Sequence, residues 1–175
     1  MGEQYVGVKF KVTHLPAERI SDSRIDELIE IGQKLAAKGF CPENCGNLSF
    51  RYEASFVITR AGCEIGKLSP MDFVRVPDVD LVKKRVSVSG SLDPSSEAMM
   101  HFMIYAARPD VNVILHAHCL DLKNAITTKT AYPYSTLECA NSAVEVLRNH
   151  DLVILKDHGF VSVGKDCADA FQKIR

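Results

Sequence analysis

Three histidines have the spacing of a metal site that could support catalysis. His116 and His118 end the apolar segment VNVILHAH, residues 111–118. Because side chains alternate across a strand, residues i and i+2 point to the same face, and the two imidazoles are expected side by side. His158 follows a second apolar segment and is expected in a turn beside Gly159. Three neutral imidazoles with an open coordination position are typical of a catalytic Zn²⁺ site, although cobalt, manganese or iron would also be bound by these ligands.

A carboxylate near such a site is a candidate general base. Glu97 begins the helical pattern of SSEAMMHFMIYAAR. A mostly apolar setting would raise its pKa and let it take a proton next to a metal-bound carbonyl. The alternative is a carboxylate that only interacts with the dipole at the helix N-terminus. The histidines favour the general base. His101, four residues later on the same helix face, could orient this carboxylate or simply pack in the core.

Three separate clusters of small residues offer backbone N–H groups or hydroxyls to an anion. They are Gly46-Asn47, the turn around Gly62, and Ser95-Ser96 at a predicted helix N-terminus. Each alone is an ordinary turn or cap, but helix N-termini and small-residue turns are also natural phosphate sites. Together with a metal they predict a pocket for a small phosphorylated substrate.

Composition and charge exclude several classes of partner. The formal net charge of −1 gives no electrostatic basis for binding nucleic acid or an anionic membrane. No apolar run approaches the roughly 18 residues needed to cross a bilayer, and the segment MGEQYVGVKFKV lacks the apolar core of a secretory signal. We therefore expect a cytoplasmic protein in which the six cysteines are reduced.

The elements that must position these residues follow from hydrophobic periodicity and from turn residues. The pattern predicts helices over 24–39, 93–108, 141–149 and from 167 onward, and strands over 6–12, 46–52, 55–62, 81–90, 111–118, 152–156 and 160–164. Residues 68–76 are predicted as a turn or short helical entry that runs into a strand. Residues 121–134 have no clear pattern. Strands and helices do not alternate strictly, which favours a mixed or antiparallel sheet covered by helices over a doubly wound parallel sheet. We expect one domain over residues 1–175, in which residues 1–20 form an N-terminal extension with an edge strand.

The chain resembles the class II aldolase/adducin family over residues 23 to 175, because four sequence segments occur in the order found in that family. They are GNLSFR, ITRAG, PSSEAMMHFMIYAARPDVNVILHAH and ILKDHGFVSVGKD. The similarity is greatest to the branch that acts on L-fuculose 1-phosphate. It implies an α/β/α sandwich with a central, largely antiparallel mixed sheet flanked by helices. It also implies a homotetramer whose active sites lie between subunits.

The resemblance further implies a role for each candidate residue. Zinc would be held by His116, His118 and His158, with Glu97 as the catalytic acid/base. The substrate phosphate would be bound by Gly46, Asn47, Gly62, Ser95 and Ser96. The expected reaction is cleavage of a small ketose 1-phosphate to dihydroxyacetone phosphate and a short aldehyde through a metal-stabilised enediolate.

The sequence departs from the family pattern at two places near this site. Ala61 stands where the family often has Thr, so one phosphate-binding hydroxyl is missing. Longer members carry a tyrosine that protonates the leaving aldehyde, and Tyr134 or Tyr132 could take that role here.

Other functions of the same fold remain open. A methylthioribulose-1-phosphate dehydratase would use the same metal and a similar carboxylate, but would expel water. A ribulose-phosphate 4-epimerase is less favoured, because that branch typically has Asp where this chain has Glu97. A non-catalytic adducin-like interaction module is the alternative from a different class. The intact histidines and Glu97 argue against it.

Overall fold

The structure, a computed structural model, describes residues 7–123 and 125–174 as ten strands and four α-helices. The strands are β1 Lys11–Leu15, β2 Asn47–Tyr52, β3 Ser55–Thr59, β4 Phe73–Val76, β5 Asp78–Asp80, β6 Arg85–Ser89, β7 Val113–Ala117, β8 Ile126–Thr127, β9 Leu152–Leu155 and β10 Gly159–Gly164. The helices are α1 Arg24–Ala37, α2 Ala98–Ala107, α3 Leu137–Leu147 and α4 Cys167–Gln172. Two short 3₁₀ helices, Ile65–Lys67 and Pro70–Asp72, lie before β4.

Seven strands form the central sheet, in the order β4-β3-β2-β7-β10-β9-β8. All neighbours pair antiparallel except β8 and β9, which are parallel. Strands β2, β7 and β10, which the sequence places far apart, are adjacent at its centre. The predicted mixed, largely antiparallel sheet is therefore confirmed.

Helices cover both faces of this sheet. One face packs against α1 and α4, and the core there includes Leu48, Leu115 and Phe160. The other face packs against α2 and α3, around Ile58, Ile114 and Val161. Alternation of side chains along each strand sends successive residues to these two cores. The result is the α/β/α sandwich expected for this sequence.

A second sheet of three strands, in the order β1-β6-β5, adds to the α2 side of the molecule. Here β1 pairs with β6 in parallel, and Lys11 lies opposite Arg85. The sequence predicted the N-terminal strand over residues 6–12, and Val6 lies outside the described residues. The strand begins only at Lys11 because its partner β6 begins at Arg85, so the preceding residues have no strand to pair with. It lies at the edge of the smaller sheet.

Two predicted helix boundaries were wrong. Helix α2 begins at Ala98 rather than at residue 93, because residues 93–95 pair with the end of β3: Ala61 N donates to Asp93 O and Ser95 N to Thr59 O. Helix α3 begins at Leu137 rather than at residue 141. Its N-cap is Thr136, whose hydroxyl accepts a hydrogen bond from Cys139 N.

Strand β6 is also shorter than the predicted strand over 81–90. Residues 81–84 form a turn in which Lys84 has a φ of 47°. This turn joins β5 to β6 as a hairpin.

Within residues 7–123 and 125–174, no helix combines the length and the apolar character that a bilayer-crossing segment requires.

Candidate active site

The central strands bring His116 to the middle of the sheet. On β7 it lies opposite Asn47 of β2 and Val161 of β10, and its side chain is fully buried. His118 follows one residue after the end of β7, in a bend where its N–H donates to Phe40 O at 2.8 Å. The prediction that both histidines lie on a strand thus holds for His116 only. Their rings nevertheless lie side by side, with centroids 5.1 Å apart.

His158 reaches the same point from the turn between β9 and β10. Its ring centroid lies 4.9 Å from that of His116 and 4.9 Å from that of His118. One ring nitrogen of each histidine lies within 4.8 Å of the others. The structure thus brings together the three side chains that the sequence singled out as metal ligands.

The hydrogen bond of His116 fixes which ring nitrogen faces the cluster. Its Nδ1 lies 2.7 Å from the carbonyl oxygen of Phe160, which can only accept, so Nδ1 carries the proton. The buried Nε2 lies 2.9 Å from Glu97 Oε2 but has no partner with hydrogen-bond geometry. In the neutral ring, a nitrogen lone pair and a carboxylate oxygen therefore face each other. A cation bound at Nε2 would occupy this lone pair and offset the negative charge of the carboxylate, so the three imidazoles fit a divalent metal.

Glu97 is the residue immediately before α2, and its side chain makes no helix-capping hydrogen bond. It is only 4% exposed, and its carboxylate points to the histidines. Oε2 accepts a 3.0 Å hydrogen bond from Asn47 Nδ2, and Oε1 lies 3.6 Å from His158 Nε2. The carboxylate therefore lies beside the histidines and does not cap the helix.

The pKa of Glu97 differs from the sequence-based expectation. Burial by itself raises the pKa of this carboxyl, as predicted. The neighbouring His116 and His158 oppose this effect and hold its pKa well below the usual value. The prediction of a raised pKa was therefore wrong, since an apolar setting was considered without the imidazoles in contact with the carboxylate.

The histidines have different electrostatic settings. Burial lowers the pKa of His118 to about 3, and the neighbouring His116 and His158 add to this effect. His118 is therefore neutral at pH 7, which is the form that binds a metal. Burial also acts to lower the pKa of His116, but the adjacent Glu97 carboxylate reverses the direction and raises it.

A cavity of about 610 Å³ opens onto this cluster. Its lining includes Glu97, His118 and His158 and all five residues predicted to bind phosphate, namely Gly46, Asn47, Gly62, Ser95 and Ser96. Two cations that the sequence analysis did not single out, Arg60 and Lys156, also line it. Arg60 follows directly after β3, and Lys156 lies two residues before His158. Their position next to motifs that the sequence analysis did identify is the feature from which they could have been predicted.

Backbone geometry explains why small residues occur at the cavity wall. Gly46 has a φ of 91°, and a Cβ there would lie 2.7 Å from the carbonyl oxygen of His116. Gly62 also has a positive φ, 71°, but space around it is open. Ser95 and Ser96 are buried just before α2, and Glu97 N donates to Ser95 Oγ at 3.3 Å.

Tyr134 and Tyr132 both line the cavity but differ in their surroundings. Tyr134 is buried, its hydroxyl donates to Gly7 O at 3.3 Å, and the Lys9 ammonium lies 3.6 Å from its ring centroid. Tyr132 is 37% exposed. The described N-terminal residues thus pack against the tyrosine that the sequence favoured as proton donor.

The six cysteines, all within the described residues, form no disulfide bond with one another. Cys45 and Cys63 line the cavity. Burial raises the pKa of Cys63 to about 11, so its thiol is protonated at neutral pH.

The sequence matches the protein family described as Class II Aldolase and Adducin N-terminal domain, over residues 26–125 and 120–175. An L-fuculose phosphate aldolase of Methanocaldococcus jannaschii is 28% identical over 169 residues, covering 85% of this chain and 88% of that protein. A methylthioribulose-1-phosphate dehydratase of Acidiphilium cryptum is 34% identical over 126 residues, covering 70% of this chain and 57% of that protein.

Solved structures have the same fold. An L-fuculose 1-phosphate aldolase superposes with a TM-score of 0.74 at 25% identity, covering 89% of this chain and 81% of that one. A sugar-phosphate aldolase from Thermotoga maritima gives a TM-score of 0.74 at 21% identity, covering 87% of this chain and 89% of that one.

Proposed function

The chain belongs to the class II aldolase and adducin family, and from that premise we propose that it is a zinc-dependent lyase. Its reaction would cleave a small ketose 1-phosphate resembling L-fuculose 1-phosphate into dihydroxyacetone phosphate and a short aldehyde. One observation carries the proposal: a buried carboxylate, Glu97, lies against a cluster of three histidines that faces a substrate-sized cavity.

The metal would be held by His116, His118 and His158. When bound, a zinc ion supplies a Lewis acid that polarises a substrate carbonyl and stabilises the negative charge that develops on its oxygen. The hydrogen bond from His116 Nδ1 to Phe160 O keeps the ring in the tautomer whose Nε2 can bind a metal. The low pKa of His118 keeps that ring deprotonated as well.

Glu97 would move the proton at the carbon next to the substrate carbonyl. Its carboxylate is ionised at neutral pH, and the hydrogen bond from Asn47 Nδ2 fixes one of its oxygens. Oε1 has no hydrogen-bond partner among the described residues, so it is the oxygen that can take the proton lost by the substrate hydroxyl and pass it to that carbon. Burial of the carboxylate excludes water from this transfer.

The phosphate end of the substrate would be bound by the five small or polar lining residues Gly46, Asn47, Gly62, Ser95 and Ser96. Lys156 places a positive charge at the same cavity, which Arg60 also lines while its guanidinium is paired with Asp72 at 2.7 Å. A volume of about 610 Å³ is in the range of small-molecule sites and is ample for a sugar phosphate. Tyr134, or Tyr132 at the more exposed position, would relay the proton released by the substrate hydroxyl whose oxygen becomes the aldehyde oxygen.

A dehydratase acting on methylthioribulose 1-phosphate is the second candidate. The 34% identity to such an enzyme from Acidiphilium cryptum favours it, and the same histidines and Glu97 would serve both reactions. The two differ in products, because the dehydratase expels water and keeps the carbon chain intact.

We also propose a homotetramer with active sites between subunits, which light scattering of the purified protein would test.

The decisive experiment measures metal content and product together. Untagged protein is analysed for zinc and then incubated with L-fuculose 1-phosphate, related ketose phosphates and methylthioribulose 1-phosphate, with His116→Ala as the matched negative variant. About one zinc per chain and release of dihydroxyacetone phosphate, both lost in His116→Ala, would support the aldolase. Zinc with dehydration alone would favour the second candidate, and the absence of bound metal would refute the proposal.

A further inference from the structure

A row of buried polar contacts joins one face of β2 to one face of α2. Asn47 Nδ2 donates to Glu97 Oε2 at 3.0 Å. Two residues further along β2, Ser49 Oγ lies 2.6 Å from His101 Nδ1 and 2.8 Å from the Tyr105 hydroxyl. The row continues to Arg51, whose Nη2 donates to Tyr105 O at 2.9 Å.

The two elements match in spacing, which explains how such a row can form. Every second residue of a strand lies on one face, about 6.7 Å apart, and every fourth residue of a helix lies about 6.0 Å apart. Residues 47, 49 and 51 therefore lie opposite residues 97, 101 and 105 in order. A slip of one residue along β2 would turn the polar side chains to the other face of the sheet, towards α1 and α4.

The middle of this row is fully buried. Ser49 and His101 are both 0% exposed, and His101 Nε2 has no hydrogen-bond partner among the described residues. Burying an incompletely satisfied imidazole costs free energy that an apolar pair would not. A purely stabilising interface would not need it, whereas a directional contact fixes the position of α2 along β2.

We propose that Ser49 and His101 are positioning residues, whose hydrogen bond holds the start of α2 in register with β2 and thereby holds the Glu97 carboxylate at the three histidines. The inference rests on the proposed acid/base role of Glu97, although the register itself is independent of any reaction. Glu97 lies at the helix end with no capping bond of its own, so its position depends on where the helix is fixed. His101 is one helical turn away, and its contact with Ser49 is the side-chain hydrogen bond between α2 and β2 that lies next to Glu97.

The test compares two buried serines of the same sheet. Ser49→Ala removes the contact to His101, while Ser162→Ala removes an equally buried hydrogen bond, from Ser162 Oγ to Ala170 O at 2.7 Å, on the opposite face. We expect Ser49→Ala to lower kcat ten- to a hundredfold with KM and zinc content unchanged, because small misplacements of catalytic groups have effects of this size. Ser162→Ala should leave kcat within about twofold, a change too small to reflect a lost catalytic group. Equal kcat values in the two variants would overturn the inference.

Two substitutions of His101 test whether its hydrogen bond to Ser49, rather than its volume, maintains kcat. Asn places an amide atom near the position of Nδ1 and can still bond to Ser49, whereas Leu has a similar volume without polar atoms. His101→Asn should retain most of the kcat that His101→Leu loses. If the two variants lose the same amount, the role of His101 is packing and the inference fails.

Hydrogen exchange of the metal-free protein separates this inference from the proposed function. Ser49→Ala should speed amide exchange in the first turn of α2 at least tenfold relative to Ser162→Ala, because the register contact is lost. This result would support the positioning role even if no ketose phosphate were cleaved. Unchanged exchange in that turn would refute it, whatever the activity. Should Ser49→Ala not fold, Tyr105→Phe, which removes one partner of Ser49, is measured by the same exchange criterion.

Discussion

The backbone of Gly46 lies so close to His116 that a Cβ at this glycine would be 2.7 Å from the histidine carbonyl oxygen. The two residues lie on neighbouring segments of the central sheet, since Gly46 directly precedes β2 and the next residue, Asn47, lies opposite His116 on β7. The cavity wall and the predicted metal ligand are therefore in direct backbone contact. A side chain added at Gly46 must therefore displace the backbone of His116.

Substitution of Gly46 by alanine should consequently weaken metal binding. Its φ of 91° strains any L side chain, and the added methyl would displace the strand that carries His116. We expect at least a tenfold loss of zinc affinity, measured by competition with a chromophoric chelator. The matched control is Gly39→Ala, where φ is 75° but no atom lies within 4 Å of the added Cβ. Equal zinc affinity in the two variants would show that the close approach does not matter.

Replacement of Glu97 by glutamine should separate catalysis from metal binding. Glutamine keeps the size of the side chain and its contact with Asn47, but it cannot accept the substrate proton. Loss of a general acid/base lowers turnover by roughly 10²–10⁴-fold, so kcat should fall by that factor while zinc content stays near that of the wild type. Steady-state release of dihydroxyacetone phosphate provides the measurement, and the exposed Glu145→Gln is the control. Full turnover in Glu97→Gln would leave no acid/base role for this residue.

Ser96 should contribute to binding of the substrate phosphate rather than to the chemical step. A hydrogen bond to a charged group contributes about 1.5–3 kcal/mol, so Ser96→Ala should raise KM for a ketose 1-phosphate roughly ten- to a hundredfold with little change in kcat. Inhibition by inorganic phosphate should weaken in parallel. The exposed Ser91→Ala serves as the control. A fall in kcat at constant KM would instead place Ser96 in the chemical step.

The sequence was sufficient to single out the residues that the structure brings together, because they come from strongly patterned segments. The alternation in VNVILHAH and the small residues at 46–47, 62 and 95–96 are local features. Strand pairing then brings them together: β2 and β7 place Asn47 beside His116, and the turn before β10 adds His158. The order of these segments along the chain was the basis for the resemblance to the family.

Features that depend on tertiary contacts were not predictable in the same way. The start of α2 is set by the pairing of residues 93–95 with the end of β3, which no local pattern reveals. The direction of the Glu97 pKa shift depends on imidazoles from β7 and from the turn before β10, which are distant in sequence from Glu97. Likewise, the row from Asn47 to Tyr105 becomes visible only when a two-residue period on β2 is placed against a four-residue period on α2.

The buried imidazole of His101 should make the protein less stable in mild acid. Burial lowers the pKa of His101 from 6.5 to about 3, so below pH 6.5 the unfolded chain binds a proton that the folded chain does not. The stability contribution of the neutral ring is therefore fully present above pH 6.5 and is lost progressively as the pH falls towards 3. The slope from this residue is at most about 1.4 kcal/mol per pH unit. Urea unfolding of chelated, metal-free protein between pH 7 and pH 4 should show a smaller loss of unfolding free energy in His101→Leu than in the wild type. An unchanged slope in His101→Leu would mean that folding does not lower the pKa of His101.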